Sequence, residues 1–467
     1  MPLRPIRCEW QLPMPSATFP LAPESPTTQC VSCCHSKEQP VGQADLSLET
    51  LDGLANGGEP NEIDFINKEF IMLEGHAHPD FWRVARGLED IIPKQGGGGA
   101  AICVYHRGEK VVDMWGGTRD EHGAPWQEDT ISLSYSTTKG VASTLIHILV
   151  DRGLIDYNEP VATYWPEFSA NGKQRVTVRQ LMCHEAGMYD IRHLIDDAGR
   201  MLDWDHMVQA LAAAAPVHVP GATHGYHGLT YGWLVGELAQ RVTGKPFGEL
   251  LQSELATPLD LDGLYVGVPE DQMHRRARLI VPASQNDPSN FERTMRNARR
   301  INRVLKALRI PIDLSQGAAA LLPPNMQGLD LNSDAATAAC MPALNGMFTA
   351  RSLAKLYAVL ANGGALNGTR LISAETLHTA TRVQNRTMGR VIPVPMHWRL
   401  GYHRVGTIGP KTPNAFGHSG YGGSGAWADP DRNLAIGLTL NSGLGTPFGD
   451  LRVVRLGTAA CKAAERR

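Results

Sequence analysis

The stretch Ser134-Tyr135-Ser136-Thr137-Thr138-Lys139-Gly140 sets a hydroxyl and an amine three residues apart at the predicted start of a helix. Three residues on a helix turn through about 300°, so Ser136 and Lys139 share a face. A serine hydroxyl becomes an effective nucleophile when a neighbouring base takes its proton. Lysine can be that base only when uncharged. Both burial and the positive end of the helix dipole disfavour the ammonium form there. The spacing therefore has a catalytic mechanism behind it. It is also short enough to arise by chance, and Ser136 would equally serve as the cap of a surface helix.

Two later segments bear on that choice. Pro220-Gly-Ala-Thr-His-Gly-Tyr226-His227-Gly228 precedes a helical pattern that begins at Leu229. Gly417-His418-Ser419-Gly420-Tyr421-Gly-Gly-Ser424 leads into a C-terminal strand. Taken in order with Ser136 and Lys139, these resemble the serine β-lactamase and penicillin-binding-protein superfamily, whose motifs are Ser-x-x-Lys, Tyr-x-Asn and Lys-Thr-Gly. Within it the chain is most similar to the class C β-lactamase-like esterases, the family VIII carboxylesterases. The likeness runs from about residue 76 onward. It includes Val111-Val-Asp-Met-Trp-Gly-Gly117, Tyr164-Trp-Pro-Glu-Phe168, Leu181-Met-Cys-His184-Glu-Ala-Gly187 and Asn345-Gly346 before an Ala-Arg-Ser-Leu helix.

The resemblance implies an α+β fold, with an antiparallel sheet flanked by helices plus a mostly helical region. It implies a serine carboxylesterase that hydrolyses short-chain esters through an acyl-serine. β-Lactamase or D-amino-acid peptidase/transpeptidase-like activity is the neighbouring alternative. Carried over position by position, Ser136 is the nucleophile and Lys139 helps to deprotonate it. Tyr226 is the general base, as phenolate or through Lys139. The backbone N–H groups of Ser136 and Tyr421 form the oxyanion hole. His418, Ser419 and Gly420 line the opposite wall and bind substrate. No metal and no cofactor is implied. Two departures stand out: Tyr226-His227-Gly228 lacks the asparagine of the second motif, and His418 replaces the lysine of the third. A histidine is mostly neutral at pH 7 and attracts a β-lactam carboxylate less than lysine would. Both changes suit a neutral ester.

Other chemistries find less support. No G-x-S-x-G nucleophile elbow occurs; Gly423-Ser424-Gly425 is a near miss, and Ser424 reads as structural. His184-Glu185 starts like a zincin signature, but no second histidine follows at the required spacing, so His184 is expected to satisfy buried backbone groups. Cys30, Cys33, Cys34 and His35 lack the second half of a zinc site. Trp115, Trp165, Trp398 and Trp427 read as core, and Cys103 and Cys183 as buried thiols. A non-catalytic binding protein on the same fold would be free to lose one of Ser136, Lys139 and Tyr226, and none is lost.

The elements that position these residues follow from pattern. The 467 residues carry 44 basic and 47 acidic side chains, a net charge of −3, which gives no general attraction to nucleic acid. No apolar run reaches the ~18 residues of a membrane span. The eight cysteines do not form a disulfide framework, so a reducing cytoplasm is the default compartment. Residues 1–70, rich in Pro, Ser, Gln and Glu, read as a disordered tail. Strands are expected at 100–105 and 110–115 around Arg107-Gly108, and at 425–429 and 433–440. Helices are expected at 136–152 with Gly153 as its stop, and around 178–183, 205–214, 229–243, 289–309, 350–362 and 447–465. Residues 76–135 and 335–467 would share the sheet, and 136–334 would be the mostly helical region. The segment 285–330, with its Phe291–Leu308 amphipathic stretch, is a candidate lid, although its arginines also read as a solvated face. The partner is a small-molecule ester, and oligomeric state is not legible.

Overall fold

Arg107 and Gly108 both take positive φ, 53° and 81°, the combination that reverses a chain with the twist an antiparallel pair needs. The hairpin expected there is present. The computed structural model describes residues 72–94, 97–281, 288–307, 313–443 and 450–467. The expected tail at 1–70, with its cysteine cluster, lies outside the described residues, as do Leu308 and the side chains of Phe291, Met295 and Leu305.

In chain order the strands are β1 (Leu73–Ala77), β2 (Gly99–His106), β3 (Glu109–Gly117), β4 (Ser132–Leu133), β5 (Leu264–Tyr265), β6 (Met347–Phe348), β7 (Ala365–Leu366), β8 (Thr369–Arg370), β9 (His403–Arg404), β10 (Phe416–Ser419), β11 (Gly425–Asp429) and β12 (Leu434–Leu440). The helices used below are α1 (Trp82–Ile91), α2 (Thr137–Asp151), α3 (Val178–Met182), α4 (Trp204–Ala213), α5 (Tyr231–Thr243), α6 (Pro288–Ala307), α7 (Ser315–Leu321), α8 (Ala350–Ala361) and α9 (Leu451–Ala464).

One antiparallel sheet of order β1-β3-β2-β12-β11-β10-β9 joins strands from both ends of the chain. Its central seam pairs β2 with β12, from His106 opposite Leu434 to Ala100 opposite Leu440. Every residue of β12 is buried, because both faces of the sheet are covered. On one face α1 and α9 pack Val84, Leu88 and Leu456 against Ile102, Val104, Ile436 and Leu438. On the other, α8 lies so close that a Cβ on Gly437 would meet the Ala350 carbonyl at 2.3 Å. Beyond it, α2 joins the larger core through Val141, Leu145 and Leu149, beside Leu353 and Leu356 of α8. Residues Thr137 through Leu149 are all buried, so α2 is a central helix, covered around its whole circumference.

The expected helix boundaries hold to within a few residues. Gly153 stands just past the end of α2 at φ 73°, as a helix stop requires. The basic segment does form a helix, α6, on which Arg299, Arg300 and Arg303 are exposed. No described helix is long and apolar enough to cross a membrane.

Candidate active site

The turn before α2 is held under strain. Tyr135 sits at φ 45°, a left-handed conformation that costs a non-glycine residue about 1 kcal/mol or more. Hydrogen bonds fix it in place: Ser134 N–H donates to Gly346 O at 2.8 Å, and the Thr138 hydroxyl donates to Tyr135 O at 2.5 Å. The Gly346 N–H in turn donates to Thr138 Oγ1 at 3.0 Å. Ser136 then opens the helix, but its hydroxyl does not cap it. Ser136 Oγ instead lies 3.0 Å from Lys139 Nζ and 2.8 Å from the Tyr226 hydroxyl. The surface-cap alternative is thereby removed.

Lys139 is fully buried. Its Nζ donates to Gly228 O at 2.6 Å and to Ala343 O at 2.9 Å. Burial holds its pKa well below the usual lysine range, and no acidic side chain offsets that burial among the described residues. A neutral amine has two N–H bonds and one lone pair. The two carbonyls take the N–H bonds, which leaves the lone pair for the Ser136 hydroxyl. The turn that carries Ala343 is held by Asn345, whose amide donates to Ala336 O and Ala339 O at 2.9 and 2.6 Å while its Oδ1 accepts from Met341 N–H at 3.0 Å.

Tyr226 arrives from the loop before α5. Its ring stacks on Trp398, with centroids 5.3 Å apart and planes 9° from parallel. The edge of His184 meets it at 5.0 Å, and Lys139 Nζ lies 5.0 Å from its centroid. Burial pushes the phenol pKa up, with the Ser136 hydrogen bond opposing in part. The neutral phenol is thus the resting form, and the phenolate route loses ground to the route through Lys139.

The third motif closes the site. His418, at the end of β10, is buried and stacks against Tyr226 at 6.2 Å. Its Nδ1 bonds Ser419 O at 3.0 Å, while its Nε2 has no partner among the described residues. Burial first, then His403 and Lys139, push its pKa well below the usual value, so it is neutral as expected. His403 accepts from Ser419 N–H at 3.1 Å and orients the strand end. Gly420 must be glycine, because a Cβ would stand 2.4 Å from both Ser134 O and Ser424 Oγ. Ser424 behaves as the structural residue it was read to be: its hydroxyl donates to Ser134 O at 2.8 Å and ties this turn to the Ser136 turn. The backbone N–H groups of Ser136 and Tyr421 have no acceptor among the described residues. Donors left open in this way can receive a developing oxyanion.

Position 228 explains the missing asparagine. A Cβ on Gly228 would lie 2.3 Å from Leu321 Cδ2 and 2.8 Å from Ala320 O. Helix α7 occupies the space that an asparagine side chain would need. It is anchored there by the Tyr189 hydroxyl, which donates to Gln316 at 2.7 Å.

The structure therefore brings Ser136, Lys139, Tyr226 and His418 together, with Ser419, Gly420 and Tyr421 following on one turn. Sequence reasoning missed three participants. Trp398, read as core, is buried but also carries the Tyr226 ring. Gly228 and Ala343 contribute carbonyls, which leave no side-chain signature. Cys103 and Cys183 are buried thiols, as expected.

Comparison with known proteins agrees with this geometry. The family model described as Beta-lactamase matches residues 83–459. The esterase/beta-lactamase LipL of Mycobacterium tuberculosis is 40% identical over 373 residues, covering 79% of this chain and 82% of that protein. The crystal structure of a family VIII carboxylesterase superposes with a TM-score of 0.73 at 36% identity, covering 84% of this chain and 100% of the other. A penicillin-binding-protein homologue from Caulobacter crescentus gives a TM-score of 0.72 at 33% identity, with the same 84% and 100% coverage. The Ser-x-x-Lys helix, the antiparallel sheet and the extent of these matches establish that the chain belongs to the beta-lactamase family of serine hydrolases.

Proposed function

We propose that this chain is a serine carboxylesterase that cleaves short-chain carboxylic esters through an acyl-serine intermediate. The observation that carries the reading is the single oxygen Ser136 Oγ, held 3.0 Å from a buried amine and 2.8 Å from a buried phenol. Neutral Lys139 takes the Ser136 proton as Oγ attacks the ester carbonyl. The N–H groups of Ser136 and Tyr421 hold the resulting oxyanion. The Tyr226 phenol donates its proton to the departing alkoxide, and the Lys139 ammonium returns a proton to Tyr226. Collapse forms the acyl-serine and releases the alcohol. Water then attacks the acyl carbon with the same pair acting as base. The acid is released, and Ser136 Oγ recovers its proton.

His418, Ser419 and Gly420 form the wall that faces the substrate. A neutral His418 and an apolar Leu321 beside Gly228 favour an uncharged ester over a β-lactam carboxylate. The site lies between the sheet region of 76–135 and 335–467 and the helical region of 136–334. The segment 285–330 acts as its lid; support comes from α7, whose Ala320 and Leu321 cluster with Tyr189, Tyr226 and Trp398. A cytoplasmic location is supported by the unpaired thiols of Cys103, Cys183, Cys340 and Cys461.

A paired assay tests the reading, with a short-chain aryl ester and a chromogenic cephalosporin on wild type and Ser136→Ala. Ester turnover that is faster than cephalosporin turnover and is lost in Ser136→Ala is the expected result. Faster cephalosporin turnover would transfer the assignment to a β-lactamase. Turnover of neither substrate, with retained ligand binding, would make the chain a binding protein.

A further inference from the structure

His184 stands where a glycine would be easier. It follows α3, and the chain there closes a complete helix stop: His184 N–H donates to Leu181 O at 3.2 Å and Glu185 N–H to Gln180 O at 2.7 Å. The residue at this point must be left-handed, and His184 has φ 68°. Glycine is the usual occupant because it carries no Cβ penalty. A buried imidazole retained at such a position points to work done by its side chain.

That work is visible on the Tyr226 loop. The His184 carbonyl accepts from Gly225 N–H at 3.0 Å, and its Nδ1 accepts from His227 N–H at 3.3 Å. These N–H groups belong to the two residues on either side of Tyr226. The edge of the same ring meets the Tyr226 ring at 5.0 Å and 73°, and packs against Trp398 at 4.4 Å. One residue thus grips the backbone on both sides of Tyr226 and braces its phenol. An acceptor Nδ1 requires the neutral Nε2–H tautomer, and burial keeps the ring neutral.

We propose that His184 is the positioning residue for Tyr226, its side chain fixing the phenol at hydrogen-bonding distance from Ser136 by holding the His227 N–H and bracing the Tyr226 ring, beside the main-chain hold on Gly225. This rests on the reading above that Tyr226 moves the proton. A loose Tyr226 would still leave the substrate pocket intact, so the loss should fall on kcat. A misplacement of about 1 Å costs on the order of 10²-fold.

The test compares His184→Gly, His184→Asn and Tyr226→Phe on a short-chain aryl ester, with active sites counted by fluorophosphonate titration. Glycine keeps the left-handed turn and the carbonyl that accepts from Gly225 N–H, and removes the Nδ1 acceptor and the ring; asparagine tolerates the turn and offers an oxygen in place of Nδ1. His184→Gly is expected to lose about 10²-fold in kcat per titrated site with KM within about threefold, and His184→Asn to stay within about fivefold of wild type in kcat. A merely structural residue would lower the yield of titratable enzyme and leave kcat per site unchanged. An unimpaired His184→Gly beside an inactive Tyr226→Phe would overturn this proposal alone. A Tyr226→Phe enzyme at wild-type kcat would overturn the role of Tyr226 and this proposal with it. Should His184→Gly not fold, His184→Asn decides: retained kcat supports the proposal, and a loss of 10²-fold overturns it.

Discussion

Replacing Lys139 by methionine should make the stability gap between variant and wild type depend on pH in a calculable way. In the folded chain the Lys139 amine is buried and its pKa is depressed, whereas in the unfolded chain it is an ordinary lysine near ~10.4. Below ~10.4 the unfolded chain therefore binds a proton that the folded chain refuses. Wild-type stability rises with pH across the window from the folded pKa up to ~10.4, by about 1.4 kcal/mol per pH unit. The penalty is absent above that window and complete below it. Methionine carries no such linkage. With Lys139 neutral at pH 7, wild type should gain about 2.7 kcal/mol on Lys139→Met between pH 7 and pH 9. For the unit Glu69–Arg467, an unfolding entropy of about 2.1 cal/mol/K per residue converts this to a relative Tm change of about 3 °C. Calorimetry at one scan rate, at half-unit pH steps, reads that slope. The offset at any one pH is less informative, because Gly228 O and Ala343 O each lose a donor in the variant, at about 1–3 kcal/mol apiece. A gap that stays constant between pH 7 and 9 would refute the reasoning. Lys139 would then be an ammonium in the folded chain, unable to accept the Ser136 proton.

Further outcomes follow from the same contacts. Tyr226→Phe removes the hydroxyl 2.8 Å from Ser136 Oγ and should cost about 10²–10⁴-fold in kcat, measured on a short-chain aryl ester, with little change in Tm. Gly228→Asn should lower the Tm, because its Cβ meets Leu321 Cδ2 at 2.3 Å and Ala320 O at 2.8 Å; overpacking of this kind costs about 1–3 kcal/mol, and adding Leu321→Ala should recover part of the loss in thermal melts. Ser424→Ala removes the 2.8 Å donor to Ser134 O, which keeps the Thr137 N–H at 3.1 Å, and should destabilise by about 0.5–1.5 kcal/mol while turnover persists, a pattern that separates a tie between turns from a nucleophile.

How much of this was legible from sequence depended on where each interaction is written. Ser136 and Lys139 lie one helical turn apart, so their meeting follows from local geometry alone. The sheet was legible because β2, β3, β11 and β12 carry strand-forming runs broken by turn residues, and its closure from both chain ends followed from where those runs lie. Tyr226 and His418 could be placed beside Ser136 only through the resemblance, since 90 residues separate Tyr226 from Ser136 in the chain. Trp398 was indistinguishable from any other core tryptophan, because burial and the support of the Tyr226 ring use the same apolar face. The carbonyls of Gly228 and Ala343 are common to every residue type and carry no mark. The displacement of the second-motif asparagine by Leu321 depended on the path of α7, which hydrophobic period alone does not give. His184 was expected to satisfy buried backbone groups; that those groups flank Tyr226 is a fact of tertiary contact.

The most direct test of the central claim is to expose the intact protein to a fluorophosphonate ester and map the adduct by peptide mass spectrometry, on wild type and on Ser136→Ala. The account predicts a single adduct on Ser136 Oγ in wild type and none in the variant. An adduct on any other side chain, or labelling that survives in Ser136→Ala, would contradict it.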